Sequence, residues 1–415
     1  MDTSPQEQRW ARMMAEHGTL LASLVKWTLL AAAVGVLAGA GTALFLRVLR
    51  WGIDTMTHAP LPLLWLPLGF VAAHALVRWL APEAEGHGTD RVIEAVHQRS
   101  GRIPLMVAPV KLAATVFTIS VGGSVGKEGP AAQIGASLAS GLASLLRLGR
   151  TDRRKIVICG IGAGFATVFG TPIAGAIFGL EVLVLGSLMY DVLYPSFVAG
   201  IVGYHMASQL GVQYFHQTLP TVPLPSERMF GATLLAGVVF GLVALALIEA
   251  TLEGAVRGEW VPPEAALMKI LFTAVSLGVG GSGGIVTPIF FIGATTGSAL
   301  AHVAGLDPAT FSAIGMVALL AGAANAPLAA SVMAIELFGP GIGPYAAISA
   351  IVAFTMSGHR SVYPSQVLGV PKTRSLSVRQ GAGLGDAPII DARLARVRWR
   401  ALQRLLRRLR GGARR

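Results

Sequence analysis

The chain is poor in charge. Asp, Glu, Lys and Arg make up 13% of its 415 residues, about half the share carried by a soluble globular domain. It holds one cysteine, Cys159, which excludes an internal disulfide and, in its apolar surroundings, reads as a packing group. HExxH segments are missing, as are paired aspartates inside apolar runs. Those absences argue against an intramembrane enzyme, and nothing in the sequence calls for a cofactor or a metal. The opening residues, MDTSPQEQRWARMMAEHG, are too polar to begin a secretory signal. Their alternation of polar and apolar residues suits a surface helix at 1–25.

Apolar residues, in contrast, reach 53%. Residues 27–46, 192–212 (with His205 neutral) and 229–248 are free of charge, and about 20 such residues cross a bilayer core. The run 270–306 is too long for one span and is interrupted by Gly and Pro. An all-α integral membrane protein is expected. The net charge of +12 is concentrated at one end, because ten arginines fall between 393 and 415. Beside a membrane domain that tail reads as a cytoplasmic anchor to anionic lipid rather than as a nucleic-acid arm.

The sequence also repeats itself. Gly122-Gly123-Ser124-Val125-Gly126-Lys127-Glu128-Gly129-Pro130 aligns with Gly280-Gly281-Ser282-Gly283-Gly284-Ile285-Val286-Thr287-Pro288, and the match runs on into Ile134-Gly135-Ala136 and Ile292-Gly293-Ala294. Lys111 and Thr115 pair with Lys269 and Thr273 at the same offset. Pro172-Ile173-Ala174 through Glu181 recurs as Pro327-Leu328-Ala329 through Glu336. Several matches in order indicate a duplication. The chain divides into a surface helix (1–25), a first membrane repeat (26–212), a polar Pro-rich linker (213–228), a second repeat (229–370) and a basic tail (371–415). Such repeats are commonly inverted, with the site at their interface. Gly followed by Pro breaks a helix and starts the next one near Pro130 and near Pro288. Unpaired amides at such starts carry positive partial charge, and unwound backbone is tolerated in a bilayer only where it is buried or lines a cavity. Two starts aimed at one point would make an anion site.

These residues resemble the CLC family of chloride channels and proton-coupled antiporters. Gly126-Lys127-Glu128-Gly129-Pro130 is similar to that family's G-[RK]-E-G-P motif, and Gly284-Ile285-Val286-Thr287-Pro288 stands where the family has G-x-F-x-P. Gly86-His87-Gly88-Thr89-Asp90 stands where chloride-selective members have G-S-G-I-P. The resemblance spans about 26–366. Thr287, the Gly-Thr-Asp at 88–90, FGTPIAGAIFGLEVL and SGHRSVYPSQ resemble the bacterial fluoride/proton antiporter branch, whereas His87 is less typical of it.

The resemblance implies a CLC-like inverted-repeat bundle with broken and half-spanning helices. It implies a fluoride/proton antiporter that exports fluoride across the bacterial inner membrane, or else a chloride/proton antiporter or chloride channel. Further implications are a homodimer, both termini in the cytoplasm, and the basic cluster at 147–155 on the periplasmic side. Glu128 would be the gating and proton-coupling glutamate. His87, Gly88, Lys127, Gly129, Ile285, Val286, Thr287 and Tyr363 would line the anion path. Lys127 reads more readily as a structural partner of a carboxylate or carbonyl. His87 could donate to the ion or sit at the cytoplasmic mouth. Thr287 could be a donor or a helix cap, and Tyr363 a donor or an interface aromatic. Val182 stands where chloride antiporters carry an inner proton glutamate. Glu181 and Glu336, symmetric in the repeats, read as helix-end structural residues, and Asp90 as a residue of a helix N-cap region.

Overall fold

The computed structural model describes residues 5–60, 62–214, 219, 226–247, 263–372, 381, 383 and 384. The arginine-rich tail beyond 384 and most of the linker lie outside the described residues. No proline interrupts the stretch between Pro5 and Pro60, and α1 (Pro5–Thr57) accordingly runs unbroken for 53 residues. The expected separate surface helix is therefore the first part of α1. At about 1.5 Å per residue α1 is roughly 80 Å long, far more than the ~30 Å core of a bilayer. Its N-terminal part stands clear of the bundle, with Leu20, Leu21 and Leu24 exposed.

The first repeat continues with α2 (Leu66–Leu80), α3 (Thr89–Gln98), α4 (Val107–Ser120), α5 (Glu128–Leu145), α6 (Arg150–Phe169), α7 (Pro172–Glu181) and α8 (Tyr190–Gln209). In the second, α9 (Glu227–Leu247) matches α1. Then α10 (Pro263–Gly278), α11 (Val286–Ala304), α12 (Pro308–Ala324), α13 (Pro327–Phe338) and α14 (Gly343–Met356) match α4 to α8 in order. The connection from Leu247 to Pro263 is too short to hold counterparts of α2 and α3. The outward face of α10 shows Leu267, Leu271, Phe272 and Val275 exposed, a surface suited to lipid and not to water.

The symmetry extends to individual bonds. Each helix pair α5/α6 and α11/α12 crosses at glycines. A Cβ on Gly135 would collide with the Gly160 carbonyl, and one on Gly293 with the Gly315 carbonyl; small residues let the backbones approach. α6 ends on Gly170 and α12 on Asn325, both in the left-handed region that Gly and Asn tolerate. At the end of α7 the Glu181 carboxylate accepts from the amides of Leu328 and Ala329 at 3.0 and 2.8 Å. Near the end of α13 the Glu336 carboxylate accepts from Ile173 and Ala174 at 3.0 and 2.8 Å. Each helix thus caps the start of the other, so α7 and α13 run antiparallel and the repeats are inverted. The structural role expected for both glutamates is the one observed.

One expectation is overturned. Lys26, at the start of the α1 span, pairs with Asp152 at 2.6 Å, and the Lys155 ammonium lies 5.2 Å from the Trp27 ring. The basic cluster at 147–155 therefore lies on the same surface as the N-terminal part of α1, not the opposite one. The region after α2 shares that surface, since Arg99 pairs with Glu83 and Gly101 packs on Arg154. The far end of α1 is tied to the end of α8, where Arg47 Nη2 donates to the Leu210 carbonyl.

Candidate anion and proton site

The Gly-rich loops before α5 and α11 meet at the pseudo-symmetry axis. Gly126 N donates to Gly284 O at 2.6 Å and Gly284 N to Gly126 O at 2.5 Å, an antiparallel bridge between equivalent residues. Side chains of the helices before the loops hold it on both sides. Ser124 N donates to Ser276 Oγ at 3.0 Å and, symmetrically, Ser282 N donates to Thr118 Oγ1 at 3.0 Å. The bridge sets the start of α5 beside the start of α11.

Glu128 is the first residue of α5 and is 1% exposed. Its carboxylate reaches across the axis. Thr287 N donates to Oε2 at 3.1 Å, and Thr287 Oγ1 donates to Oε1. First-turn amides have no partner inside their own helix, so a negative group here satisfies an orphan donor and meets the positive helix end. Thr287 is one residue inside α11, with Ile285 as the flanking N-cap and Val286 as first residue. The amides of Ile285 and Val286 belong to the same helix start.

On the other side of Glu128 lies the loop of Gly86, His87 and Gly88. Lys111, fully buried, donates to the carbonyls of Ala84 at 3.0 Å and Gly86 at 2.5 Å and fixes this loop. Gly88 is the N-cap of α3, with φ +88°. A Cβ on Gly129 would collide with the His87 carbonyl, so only glycine after Glu128 lets the two chains touch. His87 is half-buried, and its buried Nδ1 has no hydrogen-bond partner. Its ring centroid is 5.6 Å from that of Tyr363. Tyr363 is fully buried, which sets aside an interface-belt position, and its buried Oη makes no hydrogen bond of good geometry. Two buried polar atoms without a well-formed hydrogen bond, on the loop and the turn around Glu128, mark a place where a ligand or water completes the bonding.

The turn bearing Tyr363 is held by residues that sequence reading gave other roles or none. Asp90 accepts from Ser365 N at 2.8 Å and from Ser365 Oγ at 3.0 Å; it is a strut from α3 to the turn, while Gly88 takes the N-cap position. Asn325 donates to Arg360 O at 2.9 Å and Gln366 Oε1 at 3.0 Å, and Lys372 Nζ donates to Asn325 Oδ1 at 2.6 Å. The signal is present in part in the sequence, since Gly-Thr-Asp at 88–90 and SVYPSQ at 361–366 both resemble the bacterial fluoride/proton antiporter branch. Lys127 is placed apart from the carboxylate cluster. It forms no hydrogen bond or ion pair among the described residues, contrary to the expected structural pairing. It lines a cavity of about 440 Å³ with Arg47, Arg50 and Asp54 at the far end of α1.

Two helix starts and a tyrosine turn around a buried carboxylate, set between inverted repeats within an apolar shell, define a membrane protein that handles small anions. The voltage gated chloride channel family model matches residues 68–259 and 246–358, two segments that meet at the shortened connection before α10. The chain belongs to this family, known as CLC, whose members transport anions. It is 38% identical to a chloride/fluoride channel protein of Pseudomonas syringae pv. tomato, over 86% of this chain and 90% of the relative. It is 26% identical to an H(+)/Cl(-) exchange transporter, ClcA, of Salmonella newport, over 79% and 83% of the two chains. Its fold superposes on a CLC-type fluoride/proton antiporter with TM-score 0.77 and 27% identity, covering 83% of this chain and 98% of that one. A slow cyanobacterial Cl-/H+ antiporter shares the fold with TM-score 0.67 at 18% identity.

Proposed function

We propose that the protein is a fluoride/proton antiporter that exports fluoride from the bacterial cytoplasm. The observation that carries this reading is the pair of donors on Thr287, one amide and one hydroxyl, both given to Glu128. Fluoride is compact and holds its water tightly, so a selective site must replace that water with short, strong donors. A carboxylate and a fluoride ion are competing acceptors for the same two groups. Protonation weakens the hold of Glu128, the side chain leaves, and fluoride takes the donors. Tyr363 Oη and His87 Nδ1 supply further polar contacts toward the surface where α1 begins. The names of the Pseudomonas relative and of the superposed antiporter support fluoride as cargo.

The basic cluster at 147–155, on the surface of the N-terminal part of α1, supports placing that surface in the cytoplasm. The N-terminal part of α1 then lies inside, and we place the protein in the inner membrane. The family resemblance supports a homodimer with one pathway per subunit.

The test is ion flux from proteoliposomes loaded with fluoride or chloride, with pH followed outside. Fluoride flux well above chloride flux, accompanied by opposing proton movement, is expected. Equal chloride flux sinks the fluoride assignment, and fluoride flux without protons makes the protein a channel. Glu128→Gln is expected to abolish proton coupling; proton-driven fluoride uptake at the wild-type rate would refute the gating role.

A further inference from the structure

We propose that His87 is the proton relay between Glu128 and the surface where α1 begins, taking the proton on one ring nitrogen and releasing it from the other. The inference rests on the antiport reading above and assigns the inner half of its proton path. An antiporter that brings protons inward must move each one from the buried Glu128 to that surface. A relay there needs a titratable side chain with one end in the interior, one end toward water, and no bonds that immobilise it.

The described side chains around the inner half of the path divide clearly. Both oxygens of Asp90 are occupied by Ser365. Both oxygens of Glu181 are occupied by the amides of Leu328 and Ala329. Lys111 is spent on the carbonyls of Ala84 and Gly86. The Tyr363 phenol is a weak acid with an ordinary value near pH 10. His87 meets the requirement. Its carbonyl rests against Gly129, the neighbour of Glu128, and its ring faces Tyr363. Its Nδ1 is buried and unpartnered, while the residue as a whole keeps partial exposure.

The transfer balances. The neutral ring, with its proton on Nε2, accepts a proton on Nδ1 from Glu128 through water beside Tyr363. It then releases the Nε2 proton to the inner solution and is left as the other tautomer, which a ring flip or tautomer exchange resets. Burial is the largest influence and disfavours the imidazolium, Asp90 favours it, and Lys111 and Arg91 oppose it; Glu128 carries negative charge once its proton has left. The ring therefore passes protons on and does not store them.

The test follows fluoride and proton fluxes together in proteoliposomes for wild type, His87→Asn and His87→Ala. Asn keeps a polar donor but cannot relay. The proton-to-fluoride flux ratio is expected to fall about ten-fold or more in both variants. Imidazole added to the buffer is expected to restore proton flux in His87→Ala. A wild-type ratio in either variant, or no response to imidazole, overturns the relay. A wild type that moves fluoride with no protons instead removes the antiport reading, so the two failures are told apart.

Discussion

At the scale of single residues, the proposed site depends on which donors Glu128 and an anion share. Thr287→Val keeps the amide and the shape but removes the hydroxyl. A hydrogen bond to a charged group contributes about 1.5–3 kcal/mol, so the variant is expected to lose at least about ten-fold in preference for fluoride over chloride, read as the ratio of the two fluxes. Lys372, past the last spanning helix, makes a separate prediction. Burial pushes its ammonium down to about 7, although Asn325, the Phe354 carbonyl and Ser357 all accept from it. Between about 7 and the ordinary lysine value the unfolded chain binds more protons, so this group makes the fold more stable as pH rises through that window. Lys372→Met is expected to flatten this part of the stability profile in thermal unfolding. Glu128 and Thr287 were legible in the sequence because each sits in a short contiguous motif. The struts of Tyr363 were not, because Asp90 and Ser365 are 275 positions apart and nothing local announces their meeting.

At the scale of elements, the reciprocal caps of α7 and α13 carry the junction between the repeats. Glu181→Ala leaves two first-turn amides of α13 without acceptors, a cost of about 1–3 kcal/mol. Glu336→Ala does the same to α7 and is expected to cost less, because Glu336 is the more exposed of the two. Unfolding temperatures in detergent should fall in that order, with fluoride preference over chloride retained. The symmetry of this pair was readable from the duplication alone, since both glutamates fall at matching positions after matching Pro residues. What could not be read was the continuity of α1. An alternating polar and apolar start looks the same whether the helix stops at the membrane surface or continues through it.

At the scale of the whole molecule, membrane class and duplication came from composition and self-similarity, because burial in lipid and repeat pairing leave marks along the entire chain. Sidedness was harder. The cluster at 147–155 could be assigned to a surface only through contacts with residues more than a hundred positions away, Lys26 with Asp152 above all. A cysteine introduced at Thr57 should react with an impermeant thiol reagent in intact cells, and one at Arg150 should not. Both positions are exposed, and the native Cys159 is buried, so background labelling should be low. Labelling at 150 alone would reverse the orientation.

The crossed carboxylates on α7 and α13 and the Gly126–Gly284 bridge fasten the halves together at several places along one axis. Domains fastened in this manner have no free hinge about which to swing as rigid bodies. On the mechanism proposed above, turnover is confined to small parts, one carboxylate leaving its berth and one ring changing its proton, while the surrounding scaffold stays still. A transporter built on that mechanism works less like a rocking gate than like a lock whose pin is Glu128.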